Sequence, residues 1–202
     1  MNLKTLKENI DKIDIYILDQ ILKGSYQKED IILDAGCGSG RNLKWFYNTD
    51  IKVFGVDIES EALNNCKELY PKQKDNFIQC TIDKIPFNAN TFNHIICNAV
   101  LHFAKDENEF LKMYSELLRV LKPNGSLFIR MASNFGIKND VEYVSHGNYK
   151  LPDGSTRFLL TKEVLQLILE IENTKLVEDI KTTIVHNKRS MTTIIIKKEG
   201  SI

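Results

Sequence analysis

A short apolar run that leads directly into a glycine-rich loop constrains the fold of this chain more than any other feature. Residues 31–33 (IIL) have the continuous apolar character of a buried parallel strand, and residues 34–40 (DAGCGSG) follow without a break. Leu43, Phe46 and Tyr47 then give one apolar face of a helix. Glycines between a buried strand and a helix let the backbone turn tightly and approach a ligand closely. We therefore expect a strand–loop–helix unit that binds a nucleotide-like ligand.

Strands and helices alternate along most of the chain. Apolar runs predict strands at 31–33, 53–56, 77–81, 92–97 and 127–129, with amphipathic helices between them. One helix is expected to open the chain, with apolar positions from Ile10 to Leu22, and a long polar loop is expected at 133–157. A helix at 161–173 and strands at 176–185 and 191–197 close the pattern. This order predicts an α/β fold with a Rossmann-like, doubly wound sheet of seven strands, mostly parallel with an antiparallel final strand, and helices on both faces.

The length of 202 residues favours one domain. Within it, we expect residues 1–28 to form a helical lid and residues 29–132 to form a cofactor-binding core. Residues 133–202 are expected to supply a substrate loop and the C-terminal helix–strand–strand.

Composition and charge exclude several classes of function. The chain has 27 basic and 27 acidic residues, which argues against a surface that neutralises many phosphates, so no nucleic-acid partner is expected. No apolar run approaches the roughly 18 residues of a membrane span, and the charged N-terminal twenty residues contain no signal-peptide core. The four cysteines, at least 14 residues apart, suit neither a zinc site nor a redox motif. We expect a cytoplasmic protein with reduced thiols, no metal site and no membrane partner, as a monomer or homodimer.

Two acidic residues narrow the choice of ligand. A dinucleotide-binding GxGxxG pattern needs a small residue where this chain has Arg41. The Gly-Lys-Ser/Thr sequence that a P-loop needs is also absent. Asp34 would repel a pyrophosphate but suits a ligand that carries an ammonium and a sulfonium. Asp57 ends the second predicted strand, where a carboxylate can accept hydrogen bonds from both ribose hydroxyls. A nicotinamide-dependent oxidoreductase is therefore the weaker alternative on the same fold.

These residues resemble the class I S-adenosylmethionine-dependent methyltransferases. Residues 32–40 (ILDAGCGSG) are similar to motif I of that family, and Asp57 stands where its ribose-binding acid stands. Residues 85–87 (IPF), 91–93 (TFN), 99–102 (AVLH) and 118–125 (LRVLKPNG) are similar to its small-molecule branch. The arginine and asparagine after Gly40 also resemble the tellurite-resistance methyltransferases. The resemblance covers residues 30–130 and implies S-adenosylmethionine as the cofactor.

The resemblance also implies a set of cofactor-binding residues: Asp34, Gly36, Cys37, Gly38, Gly40, Asn42, Asp57, Ile58, Thr81, Ile82 and Asn98. One position departs from the family pattern, because an aspartate that reads the adenine amino group is usual where this chain has Thr81. The backbone amide of Ile82, or the side chain of Thr81 or Asp83, could take over that contact.

The implied reaction is an in-line attack on the sulfonium methyl by an O, N or S atom of a small-molecule substrate, leaving S-adenosylhomocysteine. Catalysis can then come from positioning and desolvation, with a general base only where the nucleophile must lose a proton. His102 and His146 are the candidate bases. The alternative for His102 is that it packs on the cofactor or bonds a backbone carbonyl, and the alternative for His146 is that it is simply an exposed loop residue. Arg130 and Arg157, with His102, are candidates to bind an anionic substrate, and a local carboxylate is the alternative partner of Arg130.

Other acceptors stay open at this point. An oxyanion would fit the likeness to the tellurite-resistance enzymes. Residues 98–101 (NAVL) lack both prolines and the aromatic residue of nucleobase amino-methyltransferases, which counts against a nucleic-acid amino group. Methylation of RNA or protein, and a non-catalytic role that only binds the cofactor, are further alternatives.

Overall fold

The computed structural model describes residues 3–200, which form six α-helices, eleven β-strands and three short 3₁₀ helices. The α-helices are α1 Leu3–Ile10, α2 Ile15–Leu22, α3 Lys44–Asn48, α4 Ser60–Leu69, α5 Glu107–Val120 and α6 Lys162–Leu169. The strands are β1 Ile31–Ala35, β2 Lys52–Asp57, β3 Phe77–Gln79, β4 Phe92–Asn98, β5 Leu121–Ala132, β6 Glu142–Ser145, β7 Asn148–Lys150, β8 Thr156–Phe158, β9 Thr174–Leu176, β10 Lys181–Val185 and β11 Arg189–Lys198. The 3₁₀ helices are Pro71–Asn76, Leu101–Phe103 and Lys138–Asp140.

The main sheet has the strand order β10-β11-β5-β4-β1-β2-β3, and β9 also pairs with β11. The five strands from β3 to β5 pair in parallel, whereas β11 runs antiparallel to β5 and to β10. This arrangement confirms the predicted Rossmann-like, mostly parallel sheet with an antiparallel strand near one end. The single strand predicted at 176–185 is wrong in detail, because two short strands, β9 and β10, occupy that stretch. The main sheet therefore has eight strands, one more than the seven predicted.

Helices cover both faces of the main sheet, as predicted. Successive residues of a strand point to opposite faces, so Ile32 and Leu33 of β1 enter two different apolar clusters. The cluster around Leu33 contains buried residues of α5 and α6, and the cluster around Ile32 contains buried residues of α2, α3 and α4. The chain runs from β1 through β2 to β3 and then returns to β4 on the other side of β1. That reversal opens a crevice at the carboxyl ends of the strands, where ligands bind in such sheets.

The opening of the chain differs from the single helix that we predicted. Two helices, α1 and α2, replace it, because Asp14 has extended backbone angles and caps the start of α2. Its side-chain Oδ1 accepts a hydrogen bond from the amide of Tyr16 at 2.9 Å. An aspartate competes with helix continuation in this way, which is why it favours N-caps over helix interiors.

The loop predicted at 133–157 is also wrong, because most of it forms a small antiparallel sheet in the order β6-β7-β8. We call this unit the inserted sheet (residues 142–158). His146 and Gly147 form its first turn with positive φ angles of 49° and 85°, as a two-residue hairpin requires. Phe158 of β8 is fully buried and stacks on Phe110 of α5 with ring centroids 5.1 Å apart. This contact anchors the inserted sheet to the core.

Within residues 3–200, none of the helices is both long and apolar enough to cross a membrane.

Candidate functional site

The glycine loop between β1 and α3 turns sharply because Gly36, Gly38 and Gly40 all have positive φ angles. A Cβ atom at Gly36 would collide with the side chain of Val100, and one at Gly40 would lie 2.7 Å from Cε2 of Tyr70. A Cβ at Gly38 would meet no atom within 4 Å. Two of the glycines are therefore needed for packing, and Gly38 faces open space that a ligand can fill.

Asp57 lies at the carboxyl end of β2 and is held by two backbone amides. The amide of Gly38 donates to its Oδ2 at 2.7 Å, and the amide of Glu59 donates to its Oδ1 at 3.0 Å. An ionised carboxylate can accept further hydrogen bonds on both oxygens. The structure thus presents a fixed acceptor beside the glycine loop, at the position where a ribose-binding acid was predicted.

A cavity of about 500 Å³ opens beside Asp57. Its volume lies in the range typical of small-molecule sites. Its lining contains several predicted cofactor residues, namely Gly36, Asp57, Ile58, Thr81 and Ile82, together with Asp83. It also contains Val100, Phe103, Lys105, Glu109 and Met113. The structure therefore places all three candidates for the adenine contact, Thr81, Ile82 and Asp83, around one space with Asp57.

Asp34 is completely buried, and neither of its carboxylate oxygens has a hydrogen-bond partner among the described residues. Burial raises the pKa of Asp34 to about 7; the charge of Arg41 opposes this rise and that of Asp57 adds to it. Buried polar groups without partners are rare in folded proteins, and each calls for an explanation. An unpaired carboxylate below a glycine loop is suited to a cationic group of a ligand.

Three other predicted cofactor residues lie close to the loop without lining this cavity. Cys37 is buried, and its thiol lies beside that of Cys66 in α4. Asn42 accepts a hydrogen bond on Oδ1 from the amide of Asp14 at 3.1 Å. This bond connects the loop to residues 3–22, which contain α1 and α2 and which we call the N-terminal segment. Asn98 ends β4 with a buried Nδ2 that has no partner. Asn98 therefore keeps a buried donor that a ligand could use.

Arg130 at the end of β5 is paired with a local carboxylate. Its Nη1 donates to Oδ2 of Asp14 at 2.7 Å, and its guanidinium lies 5.1 Å from the ring centroid of Tyr16. The Nε atom of Arg130 is buried and has no partner. The guanidinium therefore holds the N-terminal segment against the sheet.

His102 is buried in the 3₁₀ helix after β4. Its Nδ1 accepts a hydrogen bond from the amide of Ala132 at 3.2 Å, which places the ring proton on Nε2. Burial, together with the smaller effect of the charges of Arg157 and Arg189, lowers the pKa of His102 to about 4. At pH 7 the ring is neutral with one nitrogen already occupied, so it is better suited to donate a hydrogen bond than to accept a proton.

The structure separates the remaining candidates. His146 is exposed at the first turn of the inserted sheet, next to the start of α5, and does not line the cavity. Arg157 of β8 lies 4.8 Å from the ring centroid of Phe103, and its Nη1 donates to the carbonyl of Thr156 at 2.7 Å. Arg130 and Arg157 share no contact partner, so the two arginines expected to act together lie in different surroundings.

Sequence reasoning missed two residues that shape the site. Tyr70 donates its hydroxyl to the carbonyl of Gly40 at 2.7 Å and so supports the glycine loop from α4. Phe103, 61% exposed, lines the cavity beneath Arg157. Phe103 follows His102 directly, and an apolar side chain next to a candidate site residue was the signal available for it.

Comparison with known families bears on this site. Residues 33–129 match the family model described as a methyltransferase domain. The matched range holds the glycine loop, Asp57 and the residues that line the cavity. Residues 33–129, just under half of the chain, are therefore similar to a methyltransferase domain. The N-terminal segment, the inserted sheet and strands β9 to β11 lie outside the range that matches the methyltransferase family.

Two curated relatives of the methyltransferase domain differ widely in length. The chain is 32% identical over 130 residues to the uncharacterized protein MJ0638 of Methanocaldococcus jannaschii, which covers 63% of this chain and 52% of that one. It is 30% identical over 105 residues to the tRNA (carboxymethyluridine(34)-5-O)-methyltransferase alkbh8 of Xenopus tropicalis, covering 52% of this chain and 16% of that one. The chain thus spans about half, or less, of the curated relatives it matches.

Solved structures of methyltransferases share the fold over nearly the whole chain. A structure from Methanosarcina mazei, described as one of its S-adenosylmethionine-dependent methyltransferases, has a TM-score of 0.74 at 21% identity and covers 90% of this chain and 98% of its own. The 1,6-didemethyltoxoflavin-N1-methyltransferase of Burkholderia thailandensis, with 1,6-didemethyltoxoflavin and S-adenosylhomocysteine bound, has a TM-score of 0.70 at 16% identity. It covers 98% of this chain and 82% of its own.

Proposed function

We propose that the protein transfers the methyl group of S-adenosylmethionine to an O, N or S atom of a small molecule. The observation that carries the proposal is the Asp57 carboxylate, fixed by the amides of Gly38 and Glu59 on the wall of the cavity. A carboxylate in this position can bind a ribose diol, and the open space at Gly38 admits the ligand to the loop.

When bound, S-adenosylmethionine supplies a methyl group that its sulfonium already activates. The contribution of this chain is then to bind and orient the reactants and to exclude water. Asp34, once ionised, provides the negative charge that an ammonium group needs, and Thr81, Ile82 and Asp83 surround the space beyond Asp57. A nucleophile that carries a proton loses it to solvent or to a side chain other than His102, whose Nδ1 is occupied.

Several observations support a small acceptor. The net charge is zero, and the cavity has the volume of a small-molecule site. A structural neighbour is a 1,6-didemethyltoxoflavin-N1-methyltransferase, which is consistent with this class of acceptor on the same fold. The tRNA methyltransferase among the relatives favours RNA instead, but the match covers only 16% of that protein. We also propose that the protein acts in the cytoplasm, since its four cysteines are free thiols, and that it acts as a monomer or homodimer.

Thermal unfolding with added ligands tests the cofactor part of the proposal. S-adenosylmethionine or S-adenosylhomocysteine near 100 times its Kd should stabilise the protein by about 2.7 kcal/mol, or roughly 5 to 11 °C in Tm. The Asp57→Asn variant should bind about tenfold more weakly or worse, because it loses a charged acceptor. Asp75→Asn, which changes an exposed aspartate outside the cavity, is the matched control. A shift with NAD alone would overturn the proposal.

The acceptor class needs a second experiment. Radiolabelled S-adenosylmethionine is incubated with the protein and with separated small-molecule, RNA and protein fractions of a cell extract. Label recovered in the small-molecule fraction supports the proposal. Label transferred only to RNA or to protein refutes the small-molecule assignment while leaving the methyltransferase activity in place.

A further inference from the structure

Arg157 lies against Phe103, a lining residue of the cavity, and none of the described acidic residues forms an ion pair with it. Three other arginines, Arg119, Arg130 and Arg189, each form an ion pair with a carboxylate. Among residues 3–200, Arg157 forms no such pair, and its one hydrogen bond, from Nη1, goes to the neighbouring carbonyl of Thr156. Its remaining N–H groups are available to a ligand, and a guanidinium presents them in a fork that matches a carboxylate.

The ring of Phe103 holds this guanidinium next to the cavity. The Cζ atom of Arg157 lies 4.8 Å from the ring centroid, and Phe103 itself is a lining residue of the cavity. A cation stacked on an aromatic face gains attraction without losing its outward N–H groups. Arg157 is therefore positioned by an apolar contact and does not depend on a charge partner.

Neither His102, next to Phe103, nor Glu109, in the cavity lining, neutralises the charge of Arg157. The neutral ring of His102 lies against Phe103, with ring centroids 4.6 Å apart, and carries its proton on Nε2. Glu109, an acidic residue of the cavity lining, is already occupied by the amide of Lys105 at 2.6 Å and the Nζ of Lys105 at 3.4 Å. Phe103 of the cavity lining thus contacts both a neutral donor, His102, and an unpaired cation, Arg157.

We propose that the methyl acceptor carries a carboxylate, which Arg157 binds while the apolar part of the acceptor packs on Phe103. This inference rests on the proposed function, because it assigns the acceptor of that same site. A single free guanidinium matches a planar monoanion, and the apolar side chains of Val100 and Met113, which line the cavity with Phe103, suit a hydrophobic body. The inserted sheet, which supplies Arg157, lies outside the family match and so acts as the element that selects the acceptor.

Binding of a carboxylate and its neutral isostere to the protein saturated with S-adenosylhomocysteine tests this proposal. Benzoate and benzamide have nearly the same shape, so their Kd values, measured by calorimetry, report the charge alone. We expect benzoate to bind at least about tenfold more tightly than benzamide, as a charge-assisted bidentate contact gives. Arg157→Gln should abolish this preference, and Arg157→Lys should restore part of it.

Two controls make each outcome decisive. Lys150→Gln removes an exposed charge from β7 of the same inserted sheet and should keep the preference for benzoate. The Kd for S-adenosylhomocysteine should not change in Arg157→Gln, which shows that the variant is folded and binds the cofactor product. Equal binding of benzoate and benzamide, or a preference that survives in Arg157→Gln, overturns the proposal. Tighter binding of inorganic phosphate than of benzoate, dependent on Arg157, also overturns the carboxylate assignment. Failure of the wild type to bind S-adenosylhomocysteine instead refutes the proposed function itself.

Discussion

Asp14 and Arg130, 116 positions apart in the chain, are joined by an ion pair of 2.7 Å that fastens the N-terminal segment to the end of β5. Both side chains are largely buried, with 5% and 16% of their surface exposed. Asp14 also caps α2 and donates its amide to Asn42 behind the glycine loop. One residue therefore couples the N-terminal helix, the loop and the sheet.

Replacing Asp14 by Asn should lower the stability of the protein. Asn keeps a side-chain acceptor for the cap but leaves the buried charge of Arg130 without a counter-ion. We expect a loss of about 2 to 4 kcal/mol in the free energy of unfolding, or roughly 4 to 16 °C in Tm for a chain of this length. Thermal unfolding at neutral pH measures it. Lys175→Gln breaks the exposed pair with Glu199 and should cost less than about 1 kcal/mol. Equal losses in the two variants would show that burial adds nothing to the Asp14–Arg130 pair.

Alanine substitutions at two glycines of the loop should have different effects, one on the stability of the fold and the other on ligand affinity. Gly40→Ala places a Cβ against Tyr70 and the Sγ atom of Cys66, so the main loss is in the stability of the fold. Gly38→Ala meets no neighbour, and we expect it to lower the free energy of unfolding only by the cost of its positive φ, about 1 to 2 kcal/mol. Its affinity for S-adenosylhomocysteine should fall by about tenfold or more, because the methyl group takes ligand space. Gly24→Ala, also at positive φ with no neighbour, is the control for the backbone cost. Unchanged affinity in Gly38→Ala would place the ligand elsewhere.

Binding of the cofactor should release a proton near neutral pH. Burial raises the pKa of Asp34 to about 7, so the carboxyl is partly protonated before a cationic ligand arrives. Because the folded pKa lies above the unfolded one, the contribution of Asp34 to stability declines as the pH rises from about 4 towards 7. A ligand ammonium favours the ionised form, so affinity should increase from about pH 5.5 to 7.5. Calorimetry with S-adenosylhomocysteine in phosphate and in Tris measures the proton release. The effect should vanish in Asp34→Asn, and a pH-independent wild type would contradict it.

Ala99 should gain stability on replacement by glycine. It has a φ of 63° at the end of β4, a conformation that costs a residue with a Cβ about 1 to 2 kcal/mol. Ala99→Gly removes that cost and should raise Tm by roughly 2 to 4 °C for each kcal/mol gained. Ala62→Gly within α4 should have the opposite effect, because glycine weakens a helix interior. Unfolding curves that shift in the same direction for both variants would exclude strain at Ala99.

How much could be predicted from the sequence depends on how far apart the interacting residues are. The strand, glycine loop and Asp57 were predictable because each follows directly from an apolar run, and the parallel sheet brings the ends of β1 and β2 together. For Arg130, the sequence could predict only some local carboxylate as a pairing partner, because nothing in the sequence indicates that Asp14, 116 positions away, lies beside it. The inserted sheet escaped because β6 is exposed along its whole length, so no alternation of apolar and polar residues marks it.

The inserted sheet leaves and re-enters the main fold at one place. The amide of Leu160 donates to the carbonyl of Ala132 at 2.9 Å, and the amide of Asn134 donates back to the carbonyl of Leu160 at 3.2 Å. Residues between these bonds can therefore be lengthened, shortened or exchanged while β5 and α6 keep their positions. Arg157 is part of this exchangeable stretch, whereas Asp34 and Asp57 are not. On the functions proposed for these residues, acceptor choice and methyl-donor binding lie on separate pieces of the chain. A new specificity could then arise by exchanging the first piece without disturbing the second.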